Sequence, residues 1–297
     1  MKIKPTPETI WKRPAYLPYV HAPLTDPVIR AAEKQLGFDL PTEFLDLLRV
    51  QNGGPTRFSL PDSVGDLIAG IGHSFPSLTD FDLSDHQEYV DFPLNGLVPF
   101  DGDGRWYHCL DYRDNTKTPV VSYIDVECNS EEQLADSFSD FLQLMELVLE
   151  NELELQNVEN IDDAQRRLEG LFGSGFESKI SNLGVAYSKL QTGKKWDECF
   201  WISSNRVARG YSGDDPATFE FEGDSHLFPE LPANAVIFEA PENYIEFYRS
   251  RLQDAGLKLV DVHDAANGAG PETVSGTVFL TASAGRGKIG DKPRNGS

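Results

Sequence analysis

Apolar and polar positions repeat with a helical period most clearly between Leu36 and Gly54, LGFDLPTEFLDLLRVQNGG. Pro41 sits where a first-turn proline loses nothing, because that N–H would have no intrahelical partner anyway. Phe44, Leu47 and Leu48 recur at helical spacing and predict one buried face. Asn52, Gly53 and Gly54 tolerate positive φ, so the pattern predicts a left-handed cap followed by a sharp reversal. Upstream, Asp26 and Pro27 form an N-cap and first-turn pair. Val28, Ile29, Ala32 and Leu36 line one face of the helix they open, and Gly37 ends it, giving a helical hairpin. Residues 1–23 are punctuated by prolines, with Trp11, Tyr16, Leu17 and Tyr19 between them. They read as an extended arm that is ordered if its aromatics dock.

Downstream the period shortens. Phe58 to Leu60 reads as a strand, and Ser63 to Asp91 as loop, strand fragment and short helix. Leu97 to Phe100, Trp106 to Tyr112 and Val120 to Ile124 read as strands of a meander, the first two joined by Asp101-Gly102-Asp103-Gly104. Ser130 to Glu150 reads as a long helix, with Ser130 and Gln133 as a capping box and Leu134, Phe138, Phe141, Leu142, Met145 and Leu149 as its apolar stripe. ENELELQNVEN, residues 150–160, reads as a charged connector and places a domain boundary there. A short helix from Ile161 to Phe172 completes a linker over 151–175. Residues 176–264 then read as a small α+β unit, with a helix from Tyr244 to Ala255 and a last strand from Leu257 to Val262. The remaining residues, 265–297, are rich in Gly, Ala, Ser and Thr and predict a weakly ordered tail with one strand at 277–281.

Composition narrows the function classes. At 297 residues with 39% apolar and 11% aromatic content, the chain can build more than one core. No stretch approaches the roughly 18 consecutive apolar residues of a membrane span. The prolines near the N-terminus interrupt any signal-peptide core, so a cytoplasmic address is expected. Three distant cysteines, Cys109, Cys128 and Cys199, make neither a disulfide framework nor a zinc ligand set. The net charge is −22 and uneven. Residues 1–160 carry 11 Lys and Arg against 28 Asp and Glu, a net −17, while the other 137 residues carry 15 against 20, a net −5. Such a field disfavours nucleic acid and would steer a basic protein inward; acidic surfaces also simply aid solubility.

Candidate chemistry is sparse. Asp101-Gly102-Asp103-Gly104 begins like a calcium loop, but Arg105 and Tyr112 stand where ligands are required. SAGRGKI, residues 283–289, lacks the first glycine and the terminal hydroxyl of a phosphate loop. His108 and Cys109 are neighbours on a strand and point to opposite faces, so they form no dyad, and Cys109 reads as core alongside Tyr107 and Asp111. The six histidines show no metal-ligand spacing. No cofactor is expected. A hydrolase using the region of Trp196 to Trp201 is a distant third reading.

Taken in order, several segments carry a family resemblance: Leu36-Gly37 with Leu40-Pro41, Phe44, Leu47-Leu48 and Asn52-Gly53-Gly54; Leu97-Val98-Pro99-Phe100 with DGDGRWYHCLDYR; Pro119 to Tyr123; and Leu134 to Phe138 with Phe141-Leu142. The series resembles the Smi1/Knr4 family of the SUKH superfamily over residues 24–150. The resemblance implies an α+β fold, a mostly antiparallel sheet packed by helices, followed here by the second, smaller α+β domain. It implies a non-enzymatic binding role. Bacterial members resemble immunity proteins that neutralise polymorphic toxins, often nucleases, and fungal ones regulate cell-wall synthesis as interaction hubs. The absence of long low-complexity tails favours the bacterial reading; a regulatory or scaffold module binding an endogenous protein is the alternative. On that reading the partner is a basic protein toxin, with neither nucleic acid nor membrane. The contact residues expected are Asp80, Asp82, Asp85, Glu88, Asp91, Asp101 and Asp103, the bland alternative being a solvated loop. Trp106 is the aromatic anchor if its ring is exposed beside those acids, and core if it is buried.

Overall fold

The computed structural model describes residues 3–61, 65–149, 152–177, 180–182 and 184–266. The helical hairpin forms as its pattern predicts. Helix α1 (Asp26–Leu36) carries its proline in the first turn and ends at Gly37 in the left-handed region, with φ 82°. Helix α2 (Thr42–Val50) buries Phe44, Leu45, Leu47 and Leu48. Its end differs from expectation: Gln51 caps it in an extended conformation, and positive φ comes later, at Gly53 and Gly54. Asn52 has a different task. Its buried amide donates to the Ala22 and Ile71 carbonyls and accepts from the Ile71 N–H, so it pins the reversal by hydrogen bonds rather than by backbone freedom.

The hairpin packs on a four-stranded antiparallel meander made of Leu97–Gly102, Trp106–Asp111, Val120–Asp125 and Ser130–Ala135. Phe38 stacks on Tyr112 at 4.3 Å, and the Tyr112 hydroxyl donates to the Asp39 carbonyl at 2.7 Å. One face of the sheet presents Val98, Phe100, Leu110 and Val121 to a core that includes α1, α2 and α3 (Phe138–Leu144). The opposite face presents Leu97, Tyr107, Cys109 and Ile124 to a smaller core closed by Leu83, Val90 and Leu94.

Two expectations fail at the end of this unit. The long helix over 130–150 is instead an exposed edge strand, Ser130–Ala135, followed by the seven-residue α3. The helical spacing of Leu134 and Phe138 is accidental, because Ala135, not Leu134, is the buried residue of that strand. Residues 152–156, expected within a connector, form the strand Glu152–Gln156. Leu153 and Leu155 alternate with glutamates at period two and are buried, and this strand lies inside the second sheet, paired on both sides.

That second sheet has six antiparallel strands in the order Ile180–Asn182, Val185–Gln191, Cys199–Ser204, Val236–Glu239, Glu152–Gln156, Lys258–Asp261. Helices α4 (Ile161–Phe172) and α5 (Glu242–Asp254) bury Ala164, Leu168, Tyr248 and Leu252 against it. A final turn of helix, α6 (Val262–Ala266), follows. From residue 267 onward the expected tail, its strand at 277–281 and SAGRGKI lie outside the described residues.

The arm does dock. Ile10 and Trp11 are buried, and Ala15–Tyr16 pairs in parallel with Gly210–Ser212 of the second unit. A Cβ on Gly210 would collide with the Leu17 side chain, so glycine there lets the arm lie down. Nearby, Arg57 Nη1 reaches both carboxylate oxygens of Glu230 at 2.9 Å, a buried ion pair across the two units.

Candidate functional site

Asp80, Asp82, Asp85, Glu88 and Asp91 are all exposed. The segment that carries them is anchored from beneath by Leu83 and Val90, which bury against Tyr107, Cys109 and Ile124 of the sheet. His86 Nε2 lies 3.1 Å from the Tyr107 hydroxyl, and Gln87 brackets the following turn through the Phe92 carbonyl and the Leu94 N–H. Two of the acids also hold structure. Asp82 accepts the Ser84 N–H at the start of a short 3-10 helix (Ser84–Tyr89), and that hydrogen bond lowers its pKa. Asp91 exchanges two hydrogen bonds of 2.8 Å with Asn129.

The hairpin acids divide. Asp103 is exposed; its Oδ1 accepts the Arg105 and Trp106 N–H groups, the first of which does most to lower its pKa. Asp101 is 5% exposed, and its Oδ2 lies 3.2 Å from His108 Nδ1, which removes it from any surface contact set. The cause is a register shift between Pro99 and Asp101, a bulge that puts Asp101 opposite His108. Gly65 closes over this pair so tightly that a Cβ would strike both partners.

Trp106 is half-buried. Its ring packs edge-on to His108 at 5.2 Å and stacks on Tyr123 at 6.1 Å. Strand alternation puts Trp106 and His108 on the face that carries Leu110, opposite the face of Tyr107 and Cys109 on which the acidic segment rests. Trp106 therefore does not stand beside the acids of the 80–91 segment, although its backbone N–H donates to Asp103. The aromatics that do are Phe75 and Tyr89, 58% and 61% exposed, with Phe75 edge-on to Phe81 at 6.1 Å and Phe81 to Tyr107 at 6.2 Å. No local pattern signals their exposure, because a lone aromatic in a loop reads equally well as core.

Cys109 is fully buried, and burial pushes its thiol pKa up, so it stays protonated. Asp111, beside it, is pushed up by burial, but hydrogen bonds from Arg113 and Ser122 outweigh that and its pKa is lowered. Among the described residues no group of three or more His, Cys, Asp or Glu is placed to hold a metal ion, and no helix is long and apolar enough to cross a membrane. Trp196 is 84% exposed on a loop, whereas Trp201 lies on a strand with Lys189 Nζ 6.0 Å from its ring.

Comparison with known families settles what the first unit is. The profile of the SMI1 / KNR4 family (SUKH-1) matches residues 23–144. This segment is a SUKH-1 domain. It begins just before α1, contains the hairpin and the four-stranded sheet, and ends with α3. The acidic segment and its flanking aromatics lie inside the SUKH-1 domain, whereas the six-stranded sheet lies outside it. No curated protein matches the chain. SUKH domains as a family are associated with immunity proteins, which bind toxin proteins.

Proposed function

We propose that this chain is a non-enzymatic, cytoplasmic immunity protein that neutralises a cognate toxin through the exposed acidic segment of its SUKH-1 domain. The observation that carries the reading is the company the acids keep. Asp80, Asp85 and Glu88 stand in solvent on a segment anchored to the sheet, with Phe75 and Tyr89 exposed beside them. Protein interfaces combine aromatic anchors with charges that steer the partner and fix its register. Asp82, Asp91 and Asp103 complete the acidic rim while holding their own turns. A toxin that presents a cationic groove, such as a nuclease, meets this face as it would meet phosphate. The reading needs no cofactor.

The test uses the toxin encoded beside the gene. The wild-type chain should bind it and protect cells that express it. The triple variant Asp80→Lys, Asp85→Lys, Glu88→Lys should bind at least about 100-fold more weakly, because like charges then face each other. Failure of the wild-type chain to bind or protect sinks the immunity reading and leaves the regulatory-module alternative. Full protection by the triple variant sinks the assignment of the surface.

A further inference from the structure

A cleft of about 470 Å3 opens where the arm, the end of α2 and the second unit meet. In a chain of net charge −22 its lining is unexpected: three guanidinium groups, Arg13, Arg49 and Arg209, against one carboxylate, Glu222, with Leu17 and Val50 among the apolar walls. Two of the three arginines are already paired. Arg49 Nη1 lies 2.8 Å from Asp46, and Arg209 Nη2 lies 3.4 Å from Glu222.

Arg13 has no such partner. Its Nη1 donates to Gln51 Oε1 at 2.8 Å and to the Lys12 carbonyl at 3.1 Å. Among the described residues no carboxylate pairs with it. Burial, then the nearby charges of Arg209 and Arg57, lower its pKa. A partly buried cation that faces like charges is held at a cost, and that cost turns into binding free energy when an anion arrives. Guanidinium forks fit phosphate and carboxylate oxygens bidentately. The cleft has the volume of a small-molecule site, within the range of roughly 300–1,000 Å3. The last turn of α2 favours cations over anions, so the charge belongs on the Arg13–Arg209 side and an apolar body belongs against Val50.

We infer that this cleft binds a small organic oxyanion, a phosphate or carboxylate carried on an apolar body, clamped between Arg13 of the arm and Arg209 of the second unit. The ligand ties the arm to the second unit at the place where Ala15 N–H already donates to the Arg209 carbonyl. Glu222 competes for Arg209 and sets the affinity. The residues that line the cleft are not those proposed to meet the toxin.

Calorimetric titration of the full chain at low ionic strength, with inorganic phosphate, phenyl phosphate and benzoate, tests the inference. At least one of the two aromatic probes should bind saturably and more tightly than inorganic phosphate. Phenyl phosphate against benzoate tells phosphate from carboxylate preference. Arg13→Gln and Arg209→Gln should each lose at least about tenfold in affinity, the scale of one charge-assisted hydrogen bond. Glu222→Gln should bind more tightly, and Arg105→Gln, at an exposed hairpin elsewhere, should bind as the wild type does. Arg209 is largely exposed, so its variant decides the matter should Arg13→Gln misfold by circular dichroism. No saturable binding of any probe, or wild-type affinity in a folded Arg209→Gln variant, would overturn the site.

Discussion

Cys109, Cys128 and Cys199 carry the same thiol in three different surroundings. Cys109 and Cys199 are buried, and burial is the largest cause raising the pKa of each; Cys128 is exposed, with a pKa raised by its hydrogen bond to Asp125. An aromatic disulfide reagent at about pH 8 should therefore label one thiol in the folded protein, slowly, and all three after denaturation. Rapid labelling of two or more in the native state would contradict the packing of the sheet. The same contrast separates Asp101 from Asp103, two residues apart on one hairpin. Charge alone made them equal candidates for partner contact. The bulge after Pro99 turns one toward His108 and leaves the other in water, and a bulge is a property of a strand pair that no single strand announces.

Among the elements, α3 is the instructive error. Helical spacing from Leu134 to Leu149 suggested one long helix, but the first six residues are worth more as an edge strand completing the meander, with Glu131 and Glu132 exposed on it. The true start was written in the sequence. Ser137 accepts the Asp140 N–H at 3.1 Å, a cap followed three residues later by an acid. Ser137→Ala should cost about 1 kcal/mol in chemical denaturation, the typical worth of such a cap. Ser130→Ala, at the start expected from sequence, should cost under about 0.5 kcal/mol, since it removes only an exposed strand hydroxyl. If Ser130→Ala proves the more damaging, the strand assignment is wrong. By contrast α1, α2, α4 and α5 lie where their prolines, glycines and apolar stripes put them, because those signals are local and nothing distant competes with them.

Across the whole molecule, the Arg57–Glu230 pair is a buried ion pair that links the two units. Arg57 lies between the Phe58 and Phe228 rings, 5.6 and 5.3 Å from their centroids, and its Nη2 is buried without a hydrogen-bond partner. Burial lowers the Arg57 pKa more than Glu230 restores it, so the pair is a costly one that depends on both members. Glu230→Gln should destabilise the protein by about 3 kcal/mol or more by leaving a buried charge without its counter-ion. Adding Arg57→Met should recover most of that loss, since an apolar replacement of both partners is often neutral. A double variant as unstable as the single one would show that the loss comes from packing rather than from the charge.

The sequence by itself determined the two helices of the hairpin with the Gly37 stop, three of the four strands of the meander, the acidic excess of the first half and the SUKH-1 assignment, since periodicity, turn residues and charge are read within short segments. Tertiary structure alone decided which acids face water, that Trp106 lies on the sheet face opposite the 80–91 segment, that the charged stretch at 152–156 is an interior strand, and that Arg13 and Arg209 line one cleft. Each of these is set by strand register or by contacts between residues far apart in the chain, and the free energy that selects them is a sum over partners that no local pattern contains.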